Sequence, residues 1–127
     1  MHINETIAAA HKTAKEKGFW DKENWNLGEK LMLITSELGE ALEADRTGKK
    51  ANIDQFNNFL ISNGKYTSEE FVNSFKANIK DSVEDEMADA IIRLFDLAGK
   101  MNIDLEYHIK HKMNYNSTRD KLHGKRY

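Results

Sequence analysis

Apolar residues recur at three- and four-residue intervals through most of the chain, alternating apolar and polar runs are scarce, and there is no proline. That periodicity predicts an all-α protein. A first helix is expected from Asn4 as N-cap to Gly18, whose missing side chain suits the left-handed residue that follows a helix end. After the aromatic link FWDKENWN, a second helix is expected from near Gly28 to about Arg46, with Leu31, Ile34, Leu38, Ala41 and Leu42 toward the core. Within residues 49–80, IDQFNNFLI reads as a short helix, Gly64 as a stop, and TSEE as a capping box from Thr67 to Glu70 that opens another helix. Asp81 or Ser82 can cap a long helix reaching about Met101, and Asp104 can start a last one toward Thr118. No internal repeat and no linker divides the chain, so residues 1–127 are read as one domain, a four- to five-helix bundle.

Length and composition narrow the chemistry. A chain of 127 residues can bury a core, though a partner subunit would help to complete it. With 19 basic and 21 acidic residues the net charge is −2, which supplies no global attraction to nucleic acid or to anionic membranes. The absence of cysteine rules out disulfides and thiolate zinc sites, so any metal must be held by carboxylate, imidazole or amide groups. The N-terminal stretch lacks the pattern of a secretory signal, and no apolar run approaches the roughly 20 residues of a membrane span. A cytoplasmic protein without a membrane partner is the expectation.

Two carboxylate pairs stand out. SELGEALEADR carries Glu37 and Glu40, and EMAD carries Glu86 and Asp89, each pair three residues apart and therefore on one side of its helix. Val83, Met87, Ala90, Ile91, Leu94, Phe95, Leu97 and Ala98 cover more than half of the second helix, confining Glu86, Asp89, Arg93, Asp96 and Lys100 to a narrow stripe. A stripe on so apolar a helix is expected to line a cleft. Four carboxylates converging from two helices would repel one another unless a cation compensated, and oxygen-only ligands favour Mg²⁺, with Mn²⁺ as a substitute. Mg²⁺ takes further ligands from phosphate oxygens, which points to a phosphate-bearing substrate. The plainer reading, a solvated acidic helix face, stands beside this one. A di-iron carboxylate bundle needs Glu-x-x-His on two helices, and no histidine here follows a glutamate at that spacing.

Positive charge gathers at the C-terminal end, where six basic residues between His108 and Tyr127 face the single acid Asp120. Lys112, Asn116 and Arg119 fall on one face if the helix persists that far, and ammonium, amide and guanidinium together suit a polyphosphate. The alternative is a solvated basic end that pairs with the acidic helices. Nucleic-acid binding is the weaker reading, because the end lacks a regular aromatic pattern and the chain is not basic overall.

ELGE at Glu37–Glu40 and EMAD at Glu86–Asp89 match the E-x-x-E and E-x-x-D signature of the all-α nucleoside triphosphate pyrophosphohydrolases. Lys-x-x-x-Asn-x-x-Arg at Lys112, Asn116 and Arg119, followed by HGKRY, matches as well. The chain resembles the MazG-like branch of that superfamily, which also includes the dimeric dUTPases and the dCTP pyrophosphatases, over most of residues 20–47 and 81–127. Residues 49–80 have no counterpart and are expected to be an insertion. The resemblance implies Mg²⁺-dependent hydrolysis of a nucleoside triphosphate to the monophosphate and pyrophosphate, in a homodimer or homotetramer. It further implies metal ligation by Glu37, Glu40, Glu86 and Asp89 and phosphate binding by Lys112, Asn116 and Arg119. Glu37 is a candidate to take the proton of the attacking water, and Trp25 either stacks on the base or packs as a core residue. A catalytically silent helical bundle that binds nucleotide or a protein partner is the competing expectation.

Overall fold

A computed structural model describes residues 2–62 and 64–126; Tyr127, the end of the HGKRY segment, and the side chain of His123 lie outside the described part. The described residues form six α-helices and a short 3-10 turn, with no strand, so the all-α expectation holds. They are α1 (Ile3–Glu16), α2 (Leu27–Arg46), α3 (Ile53–Ser62), α4 (Ser68–Asn78), α5 (Val83–Lys100) and α6 (Leu105–Ser117), with the turn at Lys121–Gly124. None of these helices is long and apolar enough to cross a membrane. The two helices expected within residues 49–80 are present as α3 and α4, and with them the described residues hold six helices, more than the four- to five-helix bundle expected.

The chain divides into two compact units, one spanning Trp25–Leu94 and the other formed by the residues up to Asn24 and from Phe95 onward, and α5 contributes to both. In the first unit side-chain caps set the helix starts, those of Thr67 and Ser82 as expected. Asn26 accepts the Glu29 N–H at 2.9 Å to cap α2, and Thr67 accepts the Glu70 N–H at 3.1 Å to cap α4. Ser82, 1% exposed, caps α5 by accepting the Asp85 N–H at 3.2 Å. α3 packs on α4 through Phe56, Phe59, Tyr66, Phe71 and Phe75, whose neighbouring ring centroids lie 5.1–6.2 Å apart. This pair leaves and rejoins the chain at one place: Asn52 N–H donates to the Asn78 carbonyl at 2.7 Å, and Val83 N–H to the Lys49 carbonyl at 3.1 Å.

The buried face of α2 differs from the expected one. Ala41 is buried, but Leu31, Leu38 and Leu42 are exposed by 46%, 53% and 60%, and the buried row is Glu37, Ala41 and Ala44. On α5 the same happens: Glu86 and Ala90 are buried while Met87 and Ile91 stay half exposed. The apolar stripes are wider than one chain covers, so the rows turned inward are set by small residues that permit close packing and by the acids between them.

In the second unit α1 packs against α6. Asn4 does not cap α1, whose N-cap is His2, two residues earlier. The Asn4 side chain instead donates to Asp104 at 2.8 Å and accepts the Glu106 N–H at 3.3 Å, tying α1 to the start of α6. That hydrogen bond and the Tyr107 N–H hold the Asp104 carboxyl below its ordinary range. His11 Nδ1 and Trp20 Nε1 both lie 2.8 Å from Asp96 Oδ1, beside the buried Ile7, Leu97 and Ala98.

Candidate metal centre

Helix α2 carries Glu37 and Glu40 on adjacent turns, and α5 carries Glu86 in its first turn, where Glu86 N–H bonds to the Ser82 carbonyl at 3.0 Å. One carboxylate oxygen from each of Glu37, Glu40 and Glu86 lies within 4.8 Å of the other two, close enough for a single small ion to take all three as ligands. Glu37 and Glu86 are buried, and Glu40 is exposed at the mouth. The donor set is wholly carboxylate oxygen, which suits Mg²⁺ or Mn²⁺.

Electrostatics agree with a site short of positive charge. The Glu86 carboxyl is pushed up to about 7, by burial first, then by its hydrogen bond with Glu40 and the charges of Glu40, Glu37 and Asp89. Asp89 is also raised, by burial and then by its neighbour Asp85. Arg93 supplies a cation from within, its Nε donating to Glu37.

A second group shares Glu86. Asp81, Asp85 and Glu86 also place carboxylate oxygens within 4.8 Å of one another. Asp81 takes a left-handed backbone conformation, φ 61°, and its N–H donates to Asp85 at 2.9 Å. Lys80 at 2.6 Å and Lys49 at 3.6 Å flank its carboxylate, and the Lys80 hydrogen bond is the chief reason that the carboxyl sits below its usual range. A hollow of about 360 Å³ opens over both groups, bordered by Glu40, Thr47, Lys49, Asp81 and Glu86.

Of the four expected metal ligands, three converge and Asp89 does not; it lies one turn further along α5, exposed. Lys112 and Asn116 lie on α6, but the helix ends at Ser117, so Arg119 follows it instead of extending its face. Lys112 Nζ stands 5.0 Å from the centroid of the Tyr115 ring and the Arg119 guanidinium carbon 5.4 Å, so one aromatic ring gathers both cations. These three residues belong to the unit that contains α1 and α6. Trp25 is half-buried immediately before the α2 cap.

Reasoning from sequence assigned no role to Lys49 or Asp85, read Asp81 only as a possible helix cap, and placed Arg93 in the polar stripe of α5 without a partner. The role of Arg93 could have been found, because it lies seven residues after Glu86 in that stripe. Lys49 and Asp81 meet only through the fold. Comparison with protein-family models, with curated proteins and with solved structures found no match.

Proposed function

We propose that the protein is a Mg²⁺-dependent nucleoside triphosphate pyrophosphohydrolase of the MazG-like kind, and the convergence of Glu37, Glu40 and Glu86 carries this reading. These residues would hold Mg²⁺, or Mn²⁺ in its place, with Asp89 adding its negative charge from one turn further along α5. The bound ion would neutralise the triphosphate and lower the pKa of the attacking water. Water attacks the α-phosphorus, the bond to the bridging oxygen of the leaving pyrophosphate breaks, and Glu37, oriented by Arg93, accepts the water's proton. Lys112, Asn116 and Arg119 bind phosphate oxygens and steady the charge on the leaving group. Trp25, half-buried before the α2 cap, either stacks on the base or packs as a core residue.

Residues 49–80 are read as an insertion, supported by the hydrogen bonds that join its two ends at Lys49–Val83 and Asn52–Asn78. A homodimer or homotetramer is supported by the exposed leucines of α2 and by Met87 and Ile91 of α5.

A pyrophosphate-release assay over a panel of ribo- and deoxyribonucleoside triphosphates, with Mg²⁺ or with EDTA, tests the reading. Monophosphate and pyrophosphate should form only with the metal. Glu40→Gln should lower turnover by about 10²-fold or more without unfolding the chain, since Glu40 is exposed. Full activity in that variant would remove the proposed site. The Arg93–Glu37 ion pair favours one rival, a catalytically silent bundle in which the acids are partly balanced from within. That rival predicts a thermal shift with Mg²⁺ and no product.

A further inference from the structure

A second hollow, of about 330 Å³, lies in the same unit as the carboxylates. One wall is the α4 row Phe71, Val72 and Phe75 with Lys76, and the other is Asp85 and Asp89 of α5. The rings of Phe71 and Phe75 are stacked, with centroids 6.2 Å apart and planes 26° from parallel. Phe71 is 37% exposed and Val72 43%, so this wall keeps an apolar surface open to solvent. Asp81 borders both this hollow and the polar one that contains Glu40, Lys49 and Glu86, so the two adjoin at that residue.

We propose that this aromatic hollow takes the nucleobase of the substrate, so that the α3–α4 pair serves as the specificity element of the enzyme. This rests on the pyrophosphohydrolase reading. The volume falls within the range of small-ligand pockets, and it is too small for a partner helix about 10 Å across. The chemistry of the rim favours a heteroaromatic ring over a plain hydrocarbon, because Lys76 offers a donor to ring carbonyls and Asp85 and Asp89 offer acceptors to ring N–H and amino groups. A base lying on Phe71 and Phe75 directs its sugar and phosphates toward Asp81 and so toward the carboxylate group. The base is thereby assigned to α4, with Trp25 left as a residue of the α2 start.

The test is calorimetric binding to the full chain, with Mg²⁺, of α,β-imido analogues of the common nucleoside triphosphates and, separately, of inorganic tripolyphosphate. Val72→Trp fills the hollow from an exposed position. It should weaken the analogues by about tenfold or more, the worth of a stacked base, and leave tripolyphosphate unchanged. Phe71→Leu keeps an apolar side chain but removes the ring, and should weaken the analogues by a smaller factor. Circular dichroism confirms the helix content of both variants; if Val72→Trp does not fold, Phe71→Leu carries the test. Unchanged analogue affinity in the folded variants would overturn the pocket while sparing the functional reading. Equal weakening of analogue and tripolyphosphate would also overturn the pocket, because the effect would not depend on the base. A change of oligomeric mass with unchanged affinity would assign the hollow to a second copy of the chain instead. Failure of the wild type to bind either probe would overturn the functional reading, and the pocket with it.

Discussion

At neutral pH the carboxyl of Glu86 sits near its midpoint, because burial and the neighbouring acids Glu40, Glu37 and Asp89 all favour the proton. In the unfolded chain the same group ionises near its ordinary 4.5, so between that value and about 7 the folded state holds the extra proton. Stability from this group is therefore full below the unfolded value and is lost as pH rises through the folded one. Melting temperatures in EDTA should fall between about pH 5 and pH 8, and Glu86→Gln should flatten the decline. On the proposed function Mg²⁺ would displace that proton, so its stabilising effect should grow over the same interval. Arg93 answers the other buried acid. Arg93→Ala leaves the Glu37 carboxylate without its guanidinium and should cost about 1–2 kcal/mol, the lower part of the range for an orphaned charge because Arg93 is partly solvated. Urea denaturation measures this, and added Mg²⁺ should recover more stability in the variant than in the parent.

At the scale of elements, a few short contacts decide how helices meet. Gly99 lies on α5 where a Cβ would stand 2.7 Å from His11 Cβ, an atom close to the α1 backbone that cannot swing aside. Gly99→Ala would ordinarily gain about 1 kcal/mol in helix propensity, but the overlap should reverse the sign and cost about 1–3 kcal/mol in urea denaturation. The His11–Asp96–Trp20 hydrogen bonds depend on the same approach of α1 to the end of α5. The α3–α4 pair was legible as two helices, since its capping box and its Gly64 stop are local signals. Its aromatic packing was not, because Phe56 and Phe71 are distant in sequence and only the reversal between the helices brings their rings to 5.9 Å.

At the scale of the whole molecule, the exposed apolar rows need an explanation. Leu31, Leu38 and Leu42 recur on one face of α2, and Met87, Ile91 and Leu94 on one face of α5. Rows of this size on a chain of net charge −2 are expected to be covered by another copy. Light scattering at micromolar concentration should give a multiple of the 14.7 kDa chain mass, and Leu42→Glu should lower it. A monomer mass in the parent would overturn this expectation.

Helix positions, the Asn26, Thr67 and Asp104 caps, and the pairing of acids on α2 and α5 follow from contacts spanning three or four residues, and neighbours in the chain suffice to settle them. The rotation of each helix about its axis is a different matter. A broad apolar stripe stabilises several orientations almost equally, so Leu38 and Leu42 were expected inside and lie outside, while Glu37 and Ala44 take the buried row. The same rotation brings Glu86 to Glu37 and Glu40 and leaves Asp89 one turn away. The ion pair of Arg93 with Glu37, separated by 56 residues, likewise required packing to choose which polar side chains would share a low-dielectric space.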